Sequence, residues 1–358
     1  MNKENVKQII IDPRSSYVYG SFYLYGLIEL FGKSNVSFSL KPFKELPDVG
    51  WNIRFIATHN GLVTKYYIHT SDEYTIHQPD YQWCDVYGHV NANFIKTSKH
   101  DYPKVVSLAP SFGIKAISDS QALFMAIHNF LIALPYVLKR TEWNKNTNEE
   151  ETNRYKNVKH YFGKIYKTNK NRLPYSEYSN HIASDDNYVF FCSTLWYNDP
   201  YNHNDIGVNL RRANFIKACK SIHKINFEGG FVADVSSSKE KFEDLLTSEI
   251  SFSDWIAKTK KSTLVFNTPA FWDCHGWKLG EYLALGKCIL STPLSNDLPA
   301  PLLHGVHIHY VESDIDSICD SITYIISHKD YRLKLEKNAK AYWEKYGAPE
   351  KSLHLIGL

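Results

Sequence analysis

Short apolar runs alternate with helix-length segments of mixed character through most of this chain, and that alternation predicts an α/β protein. The run VKQIII (Val6–Ile11) reads as a buried strand ending at Asp12-Pro13, and SFYLYGLIELFG as a helix closed by Gly32. IRFIAT (53–58) reads as a second strand, WCDVYG (83–88) as a weaker one, and residues 118–140 as a long helix with Ser118 as its N-cap. Residues 141–186 break the pattern, being polar and rich in Asn, Lys and Tyr, and a domain boundary is expected near Ser184-Asp185-Asp186. The alternation then restarts: strands NYVFFCS (187–193), INFEGGF (225–231), STLVFN (262–267), CILS (288–291) and VHIHYV (306–311). Helices are expected over residues 208–223, 253–260 and 277–285, the last stopped by Gly286, and two more close the chain. Such order predicts mostly parallel sheets and two Rossmann-like domains, 1–184 and 185–358, facing across a cleft, with the last helix free to pack back on the first.

Composition narrows the partners. With 358 residues the chain fits two domains of ordinary size, and 43% hydrophobic against 22% charged residues is the balance of a folded soluble protein. A formal charge of +3 is too small to make nucleic acid the main partner. The six cysteines are scattered without a C-x-x-C pair, which predicts free, mostly buried thiols in a reducing compartment. The N-terminus lacks an apolar run of signal-peptide length and no stretch has the length of a membrane span, so the expected location is the cytoplasm. Residues 154–172 carry seven basic groups and no acid, and Val158, Tyr161, Phe162, Ile165 and Tyr166 recur at helical spacing. A helix there predicts peripheral contact with the inner face of an anionic membrane.

Chemistry concentrates in residues 262–293, STLVFNTPAFWDCHGWKLGEYLALGKCILSTP. A strand leads into a loop holding Asp273, His275 and Gly276, and the loop opens a helix carrying Lys278 and Glu281. A helix N-terminus with a positive dipole end suits a diphosphate, Gly276 and Gly280 allow close approach, and Lys278 adds a cation. Asp273 and Glu281 supply acceptors for sugar and ribose hydroxyls. Upstream, Arg211 and Arg212 sit in the helix that follows the strand at 187–193; neighbours on a helix point about 100° apart, so at most one of them faces a ligand.

This stretch resembles the donor-binding motif of GT-B glycosyltransferases, especially the retaining group marked by two acids seven residues apart. Asp273-x7-Glu281 has that spacing, with Asp where the family has Glu, and EYLALGKCILS is similar to the segment that follows. The resemblance implies that Glu281 holds the ribose hydroxyls, Asp273 touches the donor sugar, and one of Arg211 or Arg212 reaches the phosphates. It implies a metal-independent hexosyltransferase without a cofactor, moving a sugar from a nucleotide-sugar donor to a glycan or lipid-linked acceptor in bacterial surface polysaccharide synthesis. The same fold hosts sugar-nucleotide epimerases, and a non-catalytic nucleotide-sugar-binding partner subunit is a third reading. In the first half His59, His69, Asp72 and Asp85 fall at strand ends; if the reaction inverts configuration, one of them supplies a general base, with His59 the first choice. Metal chemistry has little to stand on, because His304, His307 and His309 have no acid or Cys neighbour at ligand spacing.

Overall fold

The computed structural model describes residues 6–143, 161–180, 182–196, 206–233 and 240–358. The chain forms two compact units. Unit 1 comprises Met1–Ser71, Thr75–Glu177 and Pro349–Leu358, and unit 2 comprises Asp72–Tyr74 and Tyr178–Ala348.

Unit 1 is built on strands β1 (Val6–Ile11), β2 (Val36–Phe38), β3 (Ile53–His59), β4 (Leu62–His69), β5 (Val86–His89) and β6 (Val105–Ser107), in the order β2-β1-β3-β4-β5-β6. Helix α1 (Tyr17–Phe31) starts at Ser16, whose hydroxyl accepts from the Tyr19 N–H, and ends at Gly32 with φ 80°. Helix α2 (Asp119–Trp143) is the long helix, and the Gln121 N–H donates to the Ser118 hydroxyl at its start. Five of the six strands run in one direction; β3 runs against both neighbours. The reason is local: Asn60-Gly61, with φ 48° and 81°, turns β3 directly into β4 as a hairpin, a strand that apolar patterning does not reveal. This hairpin decides where several candidate residues lie.

The basic stretch at 154–172 is described in part. Residues 154–160 lie outside the described residues. From there a helical segment runs on through Phe162–Lys167 and Thr168–Lys170, and Tyr161 and Ile165 are buried at 2% and 6% exposure. The Tyr161 ring meets Phe130 of α2 at 5.7 Å, and Asn169 takes a hydrogen bond from the Tyr17 hydroxyl of α1 at 2.6 Å. In this part Tyr161 and Ile165 of the apolar stripe are therefore packed on unit 1.

Unit 2 carries β7 (Tyr188–Leu195), α3 (Ile206–Ser221), β8 (Asn226–Ala233), α4 (Phe252–Lys261), β9 (Val265–Asn267), α5 (Trp277–Leu285), β10 (Ile289–Ser291), β11 (His309–Tyr310), α6 (Ile315–Ser327) and α7 (Lys329–Tyr342). β7 pairs parallel with β8, and β9, β10 and β11 pair parallel in turn. The Thr263 N–H donates to the Tyr188 carbonyl at 2.7 Å and the Phe190 N–H to the Ser262 hydroxyl at 2.9 Å, which sets the start of β9 beside the start of β7. The ladders form a pair, β8-β7, and a three-stranded set, β9-β10-β11. The bonds at Ser262 and Thr263 set β9 on the side of β7 away from β8, so successive connections leave β7 in opposite directions. That reversal point, at the carboxyl ends of β7 and β9, is where a doubly wound sheet opens a crevice for ligand. Phe191, Phe215, Phe266, Leu290, Ile318 and Ile322 fill the core, with Phe215 stacked on Phe266 at 4.4 Å. All six cysteines are unpaired thiols, five buried and Cys319 half-buried.

The last helix, α8 (Pro349–Leu355), belongs to unit 1 and packs on α1 so closely that a Cβ on Gly26 would lie 2.9 Å from Leu353 Cδ1 and from the Pro349 carbonyl oxygen. In unit 2 the tightest backbone approach is at Gly229 of β8, with φ 121°, where an added Cβ would fall 1.9 Å from the Phe191 carbonyl oxygen. Gly229→Ala is expected to cost about 2–3 kcal/mol or more, because strand β7 cannot yield without breaking the ladder. A urea denaturation midpoint equal to that of the wild type would contradict the strand packing described here.

Candidate functional site

The carboxyl end of β7 is built by side chains from three helices. The Cys192 carbonyl accepts from Lys278 Nζ of α5 at 2.6 Å and from the Trp255 indole N–H of α4 at 3.4 Å. The Lys278 ammonium lies 4.8 Å from the centre of the Phe191 ring and 6.0 Å from that of Trp255. Arg212 of α3 is buried at 7% exposure, and its Nη1 reaches the Thr194 carbonyl at 3.5 Å. Arg211, one residue earlier, is half-buried, and its Nη2 lies along its own helix over Gly207. Helix geometry thus separates the two arginines, and Arg212 joins Lys278.

Charge makes this corner unusual. Burial is the main cause that lowers the Lys278 pKa, and the positive Arg212 beside it adds to the effect; Cys192 and Glu281 pull the other way, and the result is about 7. A lysine read from sequence as fully charged at neutral pH thus releases its proton far more readily here, because its ammonium is desolvated against carbonyl and ring instead of water. Glu281, one turn along α5, is buried at 4% exposure and acts electrostatically on both Lys278 and Tyr282. Helix α5 begins at Gly276, whose φ of −66° any residue can adopt, and no side chain caps this end. A Cβ on Gly276 would meet only Ala270 Cβ, at 3.8 Å, so the protein's own packing does not demand glycine there.

The loop before α5 holds the other candidates in different ways. His275 is buried, hydrogen-bonded to the backbone of Asn296 and Asp297, and burial lowers its pKa to about 4. It pins the loop as a neutral imidazole. Asp273 is exposed, in a short turn where Trp272 and Asp273 both take positive φ, 50° and 61°. Two successive non-glycine residues in the left-handed region cost about 1–2 kcal/mol each, and surrounding contacts must hold them. Asn296 supplies one by donating to the Asp273 carbonyl at 3.1 Å. Asp72, at the strand ends of the first half in sequence, belongs to unit 2, where its carboxyl hydrogen-bonds the Cys274 thiol and burial raises its pKa.

In unit 1 the choice of His59 is corrected by the hairpin. His59 pairs with Val6 at the start of β1 and with Leu62 at the start of β4, so it stands at the amino ends of the parallel strands. Asp85, just before β5, accepts from the Lys65 N–H at the same end. The carboxyl ends carry Asp12, His69 and His89 instead. Asp12 is buried in ion pairs with Arg14 at 2.8 Å and Arg54 at 3.0 Å, a structural role. His69 Nδ1 lies 3.1 Å from His89 Nε2 and 3.1 Å from the Tyr87 hydroxyl. The Asn91 N–H donates to His89 Nδ1, so a neutral His89 carries its proton on Nε2, facing His69. Burial first, then the neighbouring imidazoles of His89 and His77, hold the His69 pKa well below the ordinary value.

Among the described residues no group of three or more His, Cys, Asp or Glu side chains is arranged to hold a metal ion. No helix of the described residues is long and apolar enough to cross a membrane.

No protein-family profile matches the chain, and no curated protein does. Among solved structures it is similar to the C-terminal domain of LpcC, a glycosyl transferase group 1 family protein from Francisella tularensis. That match has 15% identity and a TM-score of 0.34 over 46% of this chain and 87% of that one. It is also similar to MnaA from S. aureus in complex with UDP (12%, TM-score 0.37, 78% and 60%). A third is UDP-GlcNAc 2-epimerase from Neisseria meningitidis bound to UDP-GlcNAc (14%, TM-score 0.39, 78% and 62%). The chain spans about three fifths of the length of these last two. At such identities and scores the likenesses assign no activity, and the chemistry rests on the residues described above.

Proposed function

We propose that unit 2 binds a nucleotide-activated sugar and that the protein is a GT-B glycosyltransferase. The observation that carries this reading is the convergence of Arg212, Lys278 and the uncapped start of α5 at the reversal point of a parallel sheet, with the buried carboxylate of Glu281 one turn away. Two adjacent cations raise each other's energy, and a diphosphate between them relieves it. A buried carboxylate beside them accepts hydroxyl protons of a ribose. Asp273, on the exposed loop, is the group offered to the transferred sugar. The acceptor in this reading is a glycan or lipid-linked saccharide of a surface polysaccharide.

A thermal-shift screen against uridine, guanosine and cytidine diphosphates and their sugar conjugates tests the binding claim, because a ligand held by the native state alone raises its melting temperature. Glu281→Ala is expected to weaken the preferred nucleotide by at least tenfold, the loss of a charge-assisted hydrogen bond of about 1.5–3 kcal/mol. Equal affinity in wild type and variant would remove Glu281 from the ribose site. Product analysis then separates the activities: sugar transfer that needs an added acceptor supports the transferase, and epimerisation without one supports the epimerase alternative.

A further inference from the structure

Two exposed tryptophans flank this site along the chain, one directly after β7 and one in the loop before α5. Trp196, the residue after β7, is 37% exposed, and Trp272 is 46% exposed. The Trp196 backbone is fixed on both sides by Asn209 of α3, whose Oδ1 accepts from the Trp196 N–H at 3.2 Å and whose Nδ2 donates to the Trp196 carbonyl at 2.9 Å. Its ring stands edge-on to Phe271 at 4.4 Å between centroids. Asn209 precedes Arg212 by one helical turn, so one helix positions both the indole and the guanidinium. Trp272 follows Phe271 and sits at φ 50°, a conformation bulky residues avoid. Folding alone favours glycine or asparagine at such a place, and burial offers Trp272 little return at its exposure. Strain of this kind persists where a function needs the side chain.

We propose that Trp196 and Trp272 form a rigid stacking platform for the pyranose ring of the donor sugar, a reading that rests on Arg212 and Lys278 holding the diphosphate. The chemistry favours a sugar over a nucleobase. A pyranose presents an apolar C–H face that packs on an indole and a rim of hydroxyls that need acceptors. The carboxylate of Asp273 is adjacent to Trp272 in the chain and exposed with it. Holding Trp196 in advance, through Asn209 and Phe271, removes part of the ordering cost that a mobile side chain would impose on binding.

The test uses the full-length protein, with UDP, GDP and CDP and their glucose conjugates as probes, in titration calorimetry and thermal melting. Trp196→Leu and Trp272→Gly are each expected to lower affinity for the best nucleotide-glucose about five- to tenfold while leaving the bare nucleoside diphosphate unchanged. Trp272→Gly is also expected to raise the melting temperature by about 2–4 °C, because glycine takes the left-handed conformation without strain. A merely structural tryptophan gives the opposite, a fall in melting temperature with binding intact, and that overturns the platform. Equal losses for diphosphate and conjugate overturn it too, since they place the rings under the base. If the wild type binds neither diphosphate nor conjugate, the nucleotide reading itself fails and the platform falls with it. If the diphosphates bind but the variants match the wild type, the platform alone fails.

Discussion

Arg212→Met is expected to reduce nucleoside diphosphate affinity by a hundredfold or more while leaving nucleoside affinity nearly unchanged. The guanidinium is buried and held by the Thr194 carbonyl, so a phosphate meeting it meets a preorganised, poorly solvated cation. Charge-assisted contacts of that kind are worth about 1.5–3 kcal/mol apiece, and a forked guanidinium makes two. Methionine fills much of the same space, and a cooperative thermal melt checks that the unliganded variant folds. The substitution should also raise the Lys278 pKa above about 7, because Arg212 is one of the causes that lower it. Arg211→Met is the control, expected to bind like the wild type because Arg211 turns along the surface of its own helix. Calorimetry on the two variants decides; equal losses in both would mean that α3 does not present Arg212 to the ligand.

The second large effect is on pH. Lys278 has a pKa near 7 in the folded, unliganded protein, far below the value of about 10.4 for a solvated lysine. A diphosphate restores the charged form, so binding takes up protons at Lys278 around neutral pH. Affinity should then fall by up to about tenfold per pH unit above 7, until the pKa of the liganded lysine is passed. The sign for stability follows from the same linkage. Between about pH 7 and 10 the unfolded chain binds the proton that the folded chain has released, so this group makes stability rise with pH across that window. Below pH 7 both states are protonated and the folded state carries the full cost of a desolvated ammonium. Titration in two buffers of different ionisation enthalpy measures the proton uptake directly. Lys278→Met should abolish it; an uptake that survives in the variant would show that another group titrates.

Much of unit 2 could be read from the chain because its signals are local. The helix at Trp277–Leu285 lies between a strand and a left-handed Gly286, and every one of its boundaries is set by neighbours in sequence. The same locality placed Lys278 and Glu281 on one helix. What could not be read was desolvation: nothing local to Lys278 says that Cys192, 86 residues away, would take its proton donor and that Phe191 would cover it. Likewise the choice between Arg211 and Arg212 depends on helix rotation, which the weakly amphipathic sequence of α3 does not fix. Trp196 and Asn209 escaped notice because their partnership exists only once α3 packs against the end of β7. In unit 1 the error had one source. A hairpin at Asn60-Gly61 reverses β3, and this reversal carries His59 to the far end of the sheet from His69. The Asn-Gly pair was a visible turn signal; the half-exposed strand after it, with Leu62 at 73% exposure, lacked the apolar run that would have completed the pattern. The stripe at Tyr161 and Ile165 was legible as helical, but sequence does not distinguish a face that packs on its own unit from one that meets a membrane.

One titration bears most directly on the central claim, that Arg212, Lys278 and Glu281 form a site for the diphosphate and ribose of an activated sugar. Uridine, guanosine and cytidine diphosphates are titrated calorimetrically into the wild type, the Arg212→Met variant and the Glu281→Ala variant at pH 7. The account predicts that one diphosphate binds the wild type with proton uptake and that both variants weaken it by tenfold or more while melting cooperatively. Wild-type binding that neither variant weakens, or no binding of any of the three diphosphates, would contradict it.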